Sequence, residues 1–194
     1  MSRDLLVDIS RALEEKFFRD KDAALLDYLR SERDEAKLRT QLSEISQIDD
    51  ASVLDELIRV GVNAESFTAF SLLPLVRVAW SDGGVEESER DAILKAAEGE
   101  GISPSSANYK LLEGWLDGGP ADGLLGAWHN YARALARELD EASLAAVKHT
   151  TMTRARRIAQ AAGGILGFGN RISKNEELSL FDLAHAFDKA SELL

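Results

Sequence analysis

Apolar residues recur along this chain at helical spacing. Leu5, Leu6, Ile9, Leu13, Phe17 and Phe18 fall on one face of a helix, the pattern of an amphipathic segment. After the charged Arg19-Asp20-Lys21-Asp22, the same spacing resumes at Leu25, Leu26, Leu29, Leu38, Leu42 and Ile45. The opposite face carries Arg33, Asp34, Glu35 and Lys37, as expected for the solvated side of a helical arm or hairpin. Residues 1–48 are therefore expected to form a charged N-terminal helical arm, and residues 49–194 a helical domain.

Caps and breakers divide the remainder. Asp49-Asp50-Ala51-Ser52 supplies N-cap chemistry for a helix that ends near Gly61, with Leu54, Leu57 and Ile58 facing inward. Asn63 is expected to cap the next helix, which carries Phe67, Phe70, Leu73, Val76 and Trp80. Pro74 should kink that helix or begin a new segment. Ser81-Asp82-Gly83-Gly84 is a stop, followed by a helix from about Glu86 to Glu100 with Gly101 just beyond its end. Ser103-Pro104 reads as a cap with proline in the first turn, and Gly118-Gly119-Pro120 as a break. Further helices are expected through Leu124–Leu139 and from Asp140 or Glu141 to Ala162. After the glycine-rich 163–171 stretch, Ser173-Lys174-Asn175-Glu176 forms a capping box for the last helix. The total is roughly eight to nine helices with no strand.

Composition strengthens the all-α expectation. The 194 residues include 28 Leu and 27 Ala against 8 Val and 9 Ile, a balance that favours helices over strands. Only 3 Pro interrupt it. The absence of Cys removes disulfides, zinc ribbons, iron–sulfur centres and thiol nucleophiles. No signal peptide and no apolar run of about 20 residues is visible, so a cytoplasmic protein is expected. A net charge of −11 and a pI near 4.8 argue against nucleic acid as a partner, since phosphate neutralisation needs clustered Lys and Arg.

The most informative stretch is 75–93, which joins an apolar helix to an acid-rich one through Asp82-Gly83-Gly84-Val85. Glu86, Glu87 and Glu89 lie at the positive end of the second helix, where carboxylates are favoured. Asp82-Gly83-Gly84-Val85 followed by Glu89 matches the second half of a calcium-binding EF-hand loop. The first half would place Val78 and Trp80 at ligand positions, and neither can coordinate, so a full EF-hand is excluded.

Ala79, Asp82, Gly83, Val85, Glu89 and Arg90 give the segment another likeness. It resembles the TerB-like domain, named for tellurite-resistance proteins and also found at the N-terminal side of some DnaJ-type membrane co-chaperones. The resemblance extends from about Asp50 to the C-terminus and leaves out the first 48 residues. It implies a multi-helix bundle, a place in bacterial stress responses and assembly with other proteins near the membrane. It also implies divalent metal binding (Ca, Mg or Mn) by Asp82 and Glu89, with Glu86 as a helper. The simpler alternative is that Asp82 caps the helix and Glu89 stays solvated. Such domains repeat the helix–turn–helix unit, and 161–176 is a candidate second copy in which Ile172 matches Val85 and Glu176 matches Glu89. Its turn is longer and lacks the Asp.

His129, His149 and His185 lack zinc or di-iron spacing. Asp182 and His185 share a helix face, the arrangement of a surface hydrogen bond. The glycine-rich stretch has no preceding strand and no Gly-Lys-Ser, so it is not a phosphate loop. Charge is unevenly placed. Residues 142–175 contain no Asp or Glu but hold Lys148, Arg154, Arg156, Arg157, Arg171 and Lys174. That stretch is +6, which leaves −17 for the rest. The six cations either pair with acidic neighbours within the domain or form a patch for an anionic partner, such as membrane headgroups or an acidic protein surface. No positioned nucleophile or acid–base pair is visible. The expected function is a non-enzymatic interaction or scaffold module, with a divalent-metal-binding or sensing domain as the alternative.

Overall fold

A computed structural model describes residues 34–162 and 172–188. The chain divides into two compact units, Met1–Thr40 and Gln41–Leu194. Of the first, residues 34–40 are described, and they are helical. The amphipathic 5–18 segment and the glycine-rich 163–171 stretch lie outside the described residues. The second unit is all-α, with no strand among the described residues. Its helices are α1 (41–46), α2 (Ala51–Arg59), α3 (Phe67–Ser71), α4 (Leu73–Ala79), α5 (Glu87–Gly99), α6 (Ala107–Gly118), α7 (Leu124–Glu138), α8 (Glu141–Ala162) and α9 (Lys174–Ala186). A 3₁₀ turn, Trp80–Asp82, links α4 to α5.

Local chemistry sets most boundaries. Asp50 Oδ1 accepts from the Ser52 and Val53 amides at 3.0 and 3.3 Å and so satisfies orphan donors at the start of α2. Pro74 stands in the first turn of α4 and begins a new helix; the break falls at Leu72. Asn63 Oδ1 accepts from the Glu65 and Ser66 amides, but these residues form a turn and α3 starts only at Phe67. Ser103 does not cap α6. Ser106 takes that position and accepts from the Tyr109 amide at 3.2 Å, while Pro104 lies in the preceding turn.

α4 is the centre of the packing. Leu73, Pro74, Leu75, Val76, Val78 and Ala79 are all buried, and α4 touches α3, α5, α7, α8 and α9. Alanines on the surrounding helices, including Ala127, Ala132, Ala155 and Ala159, are fully buried and allow close approach of backbones. α2 packs on α7, and polar contacts fix its entry. Glu138 accepts from the Asp49 and Asp50 amides at 2.7 and 3.1 Å. Arg137 pairs with Asp50 at 2.8 Å, and the Tyr131 hydroxyl donates to the Ser46 carbonyl at 3.1 Å.

The unit boundary at Thr40 and Gln41 falls earlier than the residue 48 expected from charge pattern. Leu42, on α1, and Ile48, just beyond its end, are fully buried members of the core although charged neighbours surround them. Leu42→Ala should therefore cost about 2–5 kcal/mol, as for other leucines deleted from packed cores. The check is the urea midpoint at an unchanged denaturant slope.

Candidate functional site

The acidic turn is built by the end of α4, the 3₁₀ turn and the start of α5. Gly83 adopts φ +88°, a conformation that side-chain-bearing residues rarely accept. It releases the chain from the 3₁₀ turn so that Glu86 becomes the N-cap of α5. Glu86 and Glu89 form a reciprocal capping box, in which the Glu86 amide donates to Glu89 Oε2 at 2.9 Å. Both halves of the simpler reading of these acids therefore change. Asp82 is exposed and Glu86 takes the cap position, while Glu89 is only 3% exposed instead of solvated. The backward bend required of a box glutamate carries its carboxyl inward.

The second helix start repeats this geometry. Ser173 caps α9, the Glu176 amide donates to Ser173 Oγ at 3.1 Å, and the Ser173 amide donates to Glu176 Oε2 at 2.5 Å. Glu176 is likewise 3% exposed. α9 packs against the 3₁₀ turn. Glu176 consequently lines the same depression, of about 400 Å³, as Asp82, Gly84, Glu86 and Glu89. Two box glutamates, 87 residues apart, thus meet at one place. Burial pushes the Glu89 carboxyl up to about 7, and the charges of Glu176, Glu86 and Asp82 act in the same direction against the hydrogen bond from the Glu86 amide. Among the described residues, no group of three or more His, Asp or Glu side chains is arranged to hold a metal ion.

Two of the six basic residues are held in ion pairs with acidic neighbours. Lys148 pairs with Asp188 at 2.6 Å, and Arg154 pairs with Glu100. Arg156 and Arg157 are exposed on α8, Lys174 is exposed in the first turn of α9, and Arg171 lies outside the described residues. His185 does not bond to Asp182. Its Nδ1 lies 3.0 Å from the Phe181 carbonyl, and its Nε2 lies 4.0 Å from Asp188.

A further feature escaped the sequence reading. Leu178 and Phe181 stand 63% and 59% exposed, one turn apart on the outer face of α9. With Lys174 and Glu177 they line a shallow depression of about 410 Å³. Their i, i+3 spacing is what a core-facing pair would also show, so periodicity alone could not tell outward from inward. Among the described residues, no helix is long and apolar enough to cross a membrane. Compared with family models, curated proteins and solved structures, the chain matches none.

The buried Glu89 makes a pH-dependent prediction. Its folded pKa lies above its unfolded value, so relative stability is full below about 4.5 and is lost as the pH rises through 7. Glu89→Gln keeps an acceptor for the Glu86 amide but carries no charge. It should be more stable than wild type by on the order of 2–3 kcal/mol near pH 8 and nearly equal to it near pH 4.5. Urea unfolding at the two pH values measures the difference.

Proposed function

We propose that this chain is a non-enzymatic, TerB-like helical interaction module that docks a partner protein on the outer face of α9. The observation that carries the reading is the exposed pair Leu178 and Phe181. Exposed apolar side chains grouped together within a polar rim are the usual centre of a protein-contact site. Lys174 and Glu177 beside them supply the polar rim usual around a docking centre. The TerB-like likeness rests on Ala79, Asp82, Gly83, Val85, Glu89 and Arg90. It points to a cytoplasmic stress-response setting with protein partners, including partners at the membrane surface.

The test is affinity capture from the native cells with the wild-type chain and with Leu178→Glu/Phe181→Glu. Both positions are exposed, so the double variant should keep its stability within about 1 kcal/mol. A protein retained by the wild type and lost by the variant is expected. Equal retention of every bound protein by the two chains would refute docking on this face.

A second reading, divalent-cation binding or sensing, is favoured by the meeting of Glu89 and Glu176 beside Asp82 and Glu86. Two carboxylates completed by water suit magnesium better than the six to eight oxygens that calcium takes. A hundredfold excess over Kd would stabilise the fold by about 2.7 kcal/mol. Melting with magnesium, manganese or calcium should then rise in the wild type but not in Glu176→Gln. An unchanged melting temperature removes this reading.

A further inference from the structure

The face where α4, α7 and α9 meet holds another cavity, of about 140 Å³. Its apolar lining comes from Pro74, Leu125, Trp128 and Leu183, and its polar lining from Arg77, His129, Ser179 and Asp182. Arg77, His129, Ser179 and Asp182 share one property. None of these side chains has a hydrogen bond or ion pair within the described residues, and the indole N–H of Trp128 has none either. The indole of Trp80, by contrast, donates to the Trp115 carbonyl at 2.9 Å. Ser179, in the middle of α9, is 7% exposed, and its hydroxyl, with no partner among the described residues, is open to a molecule in the cavity.

The charges give the chemistry of a molecule that would suit the cavity. Arg77 and Asp182 line the same cavity, yet no ion pair joins them. Opposite charges held apart across a small cavity complement a ligand that carries both signs. A carboxylate would meet the Arg77 guanidinium, where planar paired donors fit it. An ammonium would meet Asp182, and Ser179 and His129 add neutral hydrogen-bonding groups. Burial, followed by the charges of Arg133 and Arg77, holds His129 below the usual histidine range, which keeps the ring neutral and able both to donate and to accept. The remaining wall is apolar, and the volume equals that of about four to five waters, room for a short branched side chain. We infer that this cavity between α4, α7 and α9 binds a small zwitterion, an α-amino acid with an apolar side chain. The site does not depend on the docking face or on the acidic turn.

The experiment is titration of the full chain with L-leucine, followed by calorimetry and by the indole N–H resonance of Trp128. Isocaproate, which lacks the ammonium, and isoamylamine, which lacks the carboxylate, are the comparison probes. Leucine is expected to bind and to shift the Trp128 resonance, with each half-ligand at least about tenfold weaker because a charge-assisted contact is lost. Arg77→Gln and Asp182→Asn should each weaken leucine by about tenfold or more. Both positions are exposed, so folding is preserved, and the exposed Arg156→Gln on α8 should bind as wild type does. Three results would overturn the inference: no binding into the millimolar range, which leaves a cavity filled by water alone; equal binding of isocaproate or isoamylamine; or unchanged leucine affinity in both Arg77→Gln and Asp182→Asn.

Discussion

Burial of α4 on nearly every side is the constraint on which the rest of the bundle depends. A helix with apolar residues all round must be enclosed, and seven residues suffice because α3, α5, α7, α8 and α9 supply the enclosure. Pro74 makes this possible. It ends α3 and allows the chain to set out again in a new direction. Arg77 is the single exposed residue of α4, and it marks the place where the enclosing helices leave a gap.

The acidic turn follows from the same arrangement. α5 leaves the end of α4 and α9 packs across it, so two helix N-termini reach one depression. Each uses a glutamate in its first turn to hold its own cap amide. Capping satisfies donors locally, but the two carboxyls approach each other as a by-product, and burial raises the cost of charge on Glu89. The local rule and the tertiary packing pull in opposite directions there, which is where functional or strained sites tend to arise.

Much of the helical pattern was legible because its signals are short-range. Asp50, Gly101, the Ser173–Glu176 box and Pro74 act within a few residues of themselves, and each set a boundary close to where it was expected. The choice among neighbouring caps was less legible. Glu86 outcompeted Asp82 because the left-handed Gly83 intervenes, and Ser106 displaced Ser103 because 103–105 closes as a turn. The burial of Leu42 and Ile48 has no local signal, because both sit among charged neighbours in the sequence. The meeting of Glu89 with Glu176, and of Arg77 with His129 and Asp182, depends on packing between helices and has no local signature. Only the proposed repeat, with Glu176 matching Glu89, offered a hint of the first.

The anchoring of α2 has a consequence for how the protein is made. Glu138, Arg137 and Tyr131 receive Asp49, Asp50 and Ser46 across 85 to 89 residues of sequence. At ribosomal speeds of about 5–20 residues per second, that interval lasts on the order of ten seconds. Until α7 emerges, α2 lacks the helix on which it packs. The early part of this chain must therefore wait, with its apolar side uncovered, and nascent-chain chaperones have a defined window in which to hold it.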